Sequence, residues 1–199
     1  MKQITGWEFV RLINKNPSWC KDLKEPLEIT TYADLHKSTI THLSPLLTFS
    51  GEDKDGWVAS FWGCKNLEIA TGTFKRFVYF GDAAIKQIKD LNITGRTNNG
   101  YSALFNNCPR LKVATGTYEG AVNFQETGIV TIKDLVIKNT DQTGLKAKFG
   151  ECPIKYIPKE YRGDEFLFDF KIKEDSILRD KTIKNTVDKL KQEVSNIEL

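Results

Sequence analysis

Four residues stand out as candidates for chemistry: Cys20, Cys64, Cys108 and Cys152, the only cysteines in the chain. Thiols can pair into disulfides or hold zinc. Spacing decides between these uses. Each cysteine follows the last by 44 residues, and three sit in the same frame: Ala59-x-Phe61-x-x-Cys64, Ala103-x-Phe105-x-x-Cys108 and Ala147-x-Phe149-x-x-Cys152. Gly56, Gly100 and Gly144 keep the same step. The chain is a tandem repeat, so equivalent residues should stack. If each 44-residue unit makes two coils, equivalent thiols lie ~10 Å apart at ~4.8 Å per coil, beyond the Cα separation a disulfide tolerates. The cysteines then read as a ladder of buried thiols filling small apolar slots.

Other reactive side chains are sparse. His36 and His42 occur in one repeat only and match no ligand spacing, so no metal is expected. Asp90 and Asp134 recur at one repeat position. Paired carboxylates do acid–base work, but recurrence at a fixed period fits turn capping or backbone bonding better. The chain has no Gly-rich phosphate loop, no Gly-x-Ser-x-Gly and no His-Glu helix motif. The reading is a non-enzymatic protein without a cofactor.

Composition points the same way. The chain has 199 residues, 40% hydrophobic and 28% charged, with a net charge of +3 from interspersed signs. That supports a folded core and offers no basic stripe for nucleic acid. No run approaches the ~18 apolar residues of a membrane span, and the first residues lack the apolar run of a signal peptide. The expected location is cytoplasmic.

The elements that must position these residues follow in order. Residues 1–19 read as an N-terminal helical cap. Thr5-x-x-Glu8 fits a capping box, Trp7, Phe9, Val10 and Ile13 form the apolar stripe, and Asn16-Pro17 ends it. Residues 20–158 form the repeat region: 20–63, 64–107, 108–151 and a partial unit at 152–158. The first repeat slips by one residue in its middle. The next two are near copies, with apolar positions two or three apart, the pattern of short stacked strands. Gly72 and Gly116 are expected in turns that need positive φ. Residues 159–199 read as a closing strand, Phe166 to Ile172, then a helix. Ile183, Val187, Leu190, Val194 and Ile197 give that helix one narrow apolar seam, which either folds back onto the repeats or self-associates.

The run Ala103-x-Phe105-x-x-Cys108-x-x-Leu111 resembles the core motif of bacterial leucine-rich repeats of the BspA type. The resemblance covers roughly residues 20–158. It implies a right-handed leucine-rich-repeat-like solenoid, mainly β with some α, capped by a helix at each end, with ~22 residues per turn. Single helical turns on the outer side would hold the Ala-x-Phe-x-x-Cys stretches. A β-helix-like or otherwise irregular solenoid is the other reading. The resemblance also implies macromolecular binding and no shared catalytic residues.

Differences between near-identical repeats locate the expected binding surface. Val78 and Phe80 persist as Val122 and Phe124 and should face in. Period 2 then turns Phe77 and Tyr79 outward, beside Lys75 and Arg76. Their counterparts are Ala121, Asn123, Glu119 and Gly120. Trp62, matched by Asn106 and Gly150, is a second outward aromatic. Trp57, Tyr101 and Leu145 share a column expected in the core. The functional expectation is a module that binds a protein partner through Trp62, Lys75, Arg76, Phe77 and Tyr79. The alternatives are a structural protein that assembles through the C-terminal helix, or a small-ligand binder or enzyme with a cleft between repeats and tail.

Overall fold

In the computed structural model, residues 1–154 and 168–169 are described. Their strands form two seven-stranded sheets. The first contains, in spatial order, β1 (Lys2–Ile4), β2 (Leu27–Ile29), β4 (Leu47–Phe49), β6 (Ile69–Phe74), β8 (Gln87–Ile93), β10 (Val113–Tyr118) and β12 (Thr131–Ile137). The second contains β3 (Ala33–Asp34), β5 (Trp57–Ser60), β7 (Phe77–Tyr79), β9 (Tyr101–Leu104), β11 (Ala121–Asn123), β13 (Ala147–Lys148) and β14 (Phe168–Asp169). From β2 to β13 the chain alternates between sheets, and the strand pairings are parallel.

This arrangement corrects the expected fold class. A leucine-rich-repeat-like solenoid, helically capped at both ends, is replaced by a mostly parallel two-sheet α/β fold. Its one α-helix among the described residues is α1 (Gly6–Lys15). The reason lies in the crossover. A parallel pair needs a dozen or more residues to return, and a helix usually supplies them. Here a strand of the opposite sheet does so, because the apolar alternation continues through Ala-x-Phe. Ala103 therefore lies in β9 and not in an outer helical turn. The predicted helix with Ile183, Val187, Leu190, Val194 and Ile197 lies outside the described residues, as does the closing segment apart from β14.

The N-terminal helix forms with its capping box intact: Thr5 accepts from the Glu8 amide, and Glu8 accepts from the Thr5 amide. Phe9 and Ile13 are fully buried and Val10 packs against the core, but Trp7 is 69% exposed beneath the Arg11 guanidinium. The stripe is thus narrower than the sequence implied.

Between the sheets runs a column of phenylalanines: Phe61, Phe80, Phe105, Phe124 and Phe149. Neighbouring rings lie near-parallel at centroid separations of 5.1, 5.0, 5.4 and 5.3 Å. Their sequence steps alternate, 19 then 25, so the two halves of each 44-residue unit are unequal. After each phenylalanine the chain turns. Cys64, Ala83 and Cys152 amides donate to the carbonyls of Phe61, Phe80 and Phe149, closing turns whose third residues, Gly63, Asp82 and Glu151, have positive φ. The Leu67 and Leu111 amides then donate to the Cys64 and Cys108 carbonyls. Two consecutive turns thus set the Phe-x-x-Cys-x-x-Leu spacing.

Gly72 and Gly116 do have positive φ, 105° and 110°, but within strands. Each lies opposite a register shift where β8 and β12 carry one extra residue. Asp90 and Asp134, both at φ 49°, are those bulge positions, and aspartate tolerates the left-handed region better than most side chains.

Candidate functional site

The outward face of the second sheet gathers aromatic side chains. Register fixes which ones. Trp57 pairs with Phe77, and Ser60 with Tyr79; Tyr79 in turn pairs with Leu104. Val78 and Phe80 alternate with these into the core and are fully buried. Tyr79 is half-buried, its ring lying across Gly81, where any Cβ would meet the Tyr79 ring at 2.2 Å. Trp62 lies near-parallel to Tyr79 with centroids 6.4 Å apart. Trp57 meets Tyr79 edge-on at 5.9 Å and Phe77 at 5.0 Å.

The expected surface residues separate. Tyr79 and Trp62 share this aromatic strip. Phe77 is on it but only 3% exposed, because Trp57 lies against it. Lys75 and Arg76 are turned away. Lys75 pairs with Glu28 of β2 in the first sheet at 3.1 Å, and Arg76 with Glu52 at 3.0 Å. Trp57 and Tyr101, expected in the core, are half-buried on the outer face. A period-2 reading could not place Trp57, because β5 shifts register between Trp57 and Ala59.

Trp62 is held from several sides. Its indole N–H donates to Asp82 Oδ2 at 2.6 Å. The Lys37 ammonium sits 5.4 Å from its ring centroid, and the His36 ring lies 4.3 Å away. Lys65 Nζ donates to the Asp82 carbonyl at 2.6 Å. Lys37, Trp62, Lys65, Asn66 and Asp82 line an open groove of about 530 Å³ at the end of the aromatic strip. The one-residue slip of the first repeat hid His36 and Lys37 from repeat alignment. Asp82 was detectable in principle, as the left-handed residue after Phe80-Gly81.

The other end of this face is built around Asp141. Its Oδ1 accepts from the Thr143 amide and hydroxyl and from the Leu145 amide. Its Oδ2 accepts from the Tyr101 hydroxyl at 2.6 Å, with Lys148 Nζ at 3.4 Å. Burial works to raise this carboxyl, but the hydrogen bonds from Thr143, Tyr101 and Leu145 outweigh it and hold it well below the usual carboxylate range. Asp53 and Thr97 occupy the same position in earlier repeats, accepting from the Trp57 and Tyr101 amides. This ties the Gly56, Gly100 and Gly144 turns to one capping scheme.

The four thiols are free and buried. Among the described residues no group of three His, Cys, Asp or Glu side chains could hold a metal ion, and no helix is long and apolar enough to cross a membrane. Comparison with family models, curated proteins and solved structures found no match.

Proposed function

We propose that this protein is a non-enzymatic recognition module that binds a partner protein through the outer face of the second sheet. One observation carries the reading: the outward strip of Trp57, Tyr79 and Trp62 is not dictated by the repeat, which keeps an aromatic at only the first of these three positions. One unit later these positions hold Tyr101, Asn123 and Asn106. The inward Ala59, Phe61, Val78 and Phe80 return as Ala103, Phe105, Val122 and Phe124. Rigid aromatic side chains, part-exposed and fixed by neighbours, are what protein interfaces use as anchors. The hydrogen bond to Asp82 and the seat over Gly81 fix two of them before any partner arrives.

The test compares the wild type with a Trp57→Ala/Tyr79→Ala chain. Proteins retained from a cell lysate are identified, and the purified partner is titrated against both forms. Loss of at least tenfold in affinity, with folding unchanged by circular dichroism, is the expected result. Equal affinity for every partner removes this face from consideration.

A further inference from the structure

We infer that the groove beside Trp62 receives an acidic side chain of a bound peptide segment, a reading that rests on the protein-recognition function proposed above. Lys37 and Lys65 are exposed, and neither makes an ion pair among the described residues. Lys65 spends a hydrogen bond on the neutral Asp82 carbonyl, and Lys37 rests over the Trp62 ring. Among the described residues the one carboxylate lining the groove, Asp82, already accepts the Trp62 indole N–H. The groove therefore presents two ammonium groups beside an aromatic face. An incoming carboxylate would complete them, while its aliphatic stem or an adjacent apolar side chain would lie on Trp62.

Shape favours a peptide over a small free anion. The groove is open and continues into the Trp62–Tyr79 strip, so a ligand confined to it would leave much of its surface in water. A segment running along the face would fill both. Local construction supports a dedicated site. Trp62, Lys65 and Asn66 become Asn106, Pro109 and Arg110 one repeat later, whereas Phe61, Cys64 and Leu67 return as Phe105, Cys108 and Leu111. The two turns that hold the groove are tied together, the Lys37 amide donating to the Trp62 carbonyl at 2.7 Å.

Positional-scanning decapeptide libraries, each fixed at a central Asp, Glu, Gln or Lys, provide the probe. The full chain should retain the Asp and Glu libraries at least fivefold over Gln and Lys, and the excess should shrink as salt rises from 50 to 500 mM. A Lys37→Glu/Lys65→Glu chain should invert the preference toward Lys, and Trp62→Phe should weaken it without inverting it. No acidic preference, or one unchanged by the double reversal, overturns the inference. So does inorganic phosphate competing at the concentration of an acidic peptide. A partner lost on Trp57→Ala/Tyr79→Ala but bound equally by the charge-reversed chain would leave protein recognition standing and overturn the groove alone.

Discussion

The Cys108 thiol donates to the carbonyl oxygen of Phe80 at 3.3 Å, joining the turn after one core phenylalanine to the turn before it. Cys64 makes the same bond to Leu35 at 3.0 Å, and Cys152 to Phe124 at 3.0 Å. The thiol does more than fill an apolar slot: it satisfies a second lone pair on a buried turn carbonyl. Cys108→Ala should therefore cost about 2 kcal/mol, from the lost volume together with the unpaired acceptor. Cys108→Ser keeps a donor and should recover part of that loss. Urea denaturation of the three chains reads the order directly; equal midpoints for Ala and Ser would assign the whole effect to packing.

The same burial governs the thiols' acid–base behaviour. Desolvation pushes Cys20, Cys64 and Cys108 up to about 12, and Cys152 rises for the same reason. Unfolded thiols titrate near ~8.5, so above that pH the unfolded chain binds fewer protons than the folded one. The resulting stability is fully present below about pH 8.5 and falls as pH rises toward 12. Thermal melting at pH 7, 9 and 10.5 should show a decline beyond pH 8.5 that is smaller in a Cys64→Ala/Cys108→Ala chain. A thiol-specific reagent at pH 8 should label the native protein slowly and the urea-unfolded protein at all four sites.

Much of this was legible in the residues themselves. Repetition at 44 placed the cysteines, the capping box placed α1, and the return of Val78 and Phe80 as Val122 and Phe124 placed them in the core. The fold class was not legible, because Ala-x-Phe-x-x-Cys fits a helical turn and a strand exit equally well over so few residues. What separates them is the left-handed residue before the cysteine, filled by Gly63, Asn107 and Glu151, which share no sequence signal. The aromatic site was half legible. Tyr79 followed from alternation, and Trp62 from its replacement by Asn106 and Gly150 in the later repeats. Trp57 was misplaced by a register shift, and the salt bridges that draw Lys75 and Arg76 away connect segments far apart in sequence.

Asp141 offers a pH-dependent test of the opposite sign. Its side chain is 2% exposed and accepts four hydrogen bonds, and its folded pKa lies below the unfolded value. Its contribution is present above about pH 4 and is lost as pH falls through the depressed folded value. Asp141→Asn should cost about 3 kcal/mol at pH 7, since an amide nitrogen must face donors on one side. The gap between wild type and variant should narrow between pH 5 and pH 2. A constant gap across that range would show that the carboxylate charge carries none of the effect.

Thr71 gives a prediction of gain. It is 4% exposed, and its buried Oγ1 has no hydrogen-bond partner among the described residues, whereas Thr115, one repeat later, donates its hydroxyl to the Asp134 carbonyl at 3.4 Å. A buried hydroxyl without a partner loses its water and gains nothing in return. Thr71→Val keeps the branched shape and the fit in β6 while removing that oxygen, so it should stabilise the fold by about 1 kcal/mol. Thr115→Val deletes a bond that exists, although a long one at a more open position, and should be neutral or mildly destabilising. Paired denaturation curves in urea decide the matter. A Thr71→Val chain less stable than wild type would mean that the hydroxyl is satisfied in solution, and the asymmetry between the two repeats at this bulge would then need another cause.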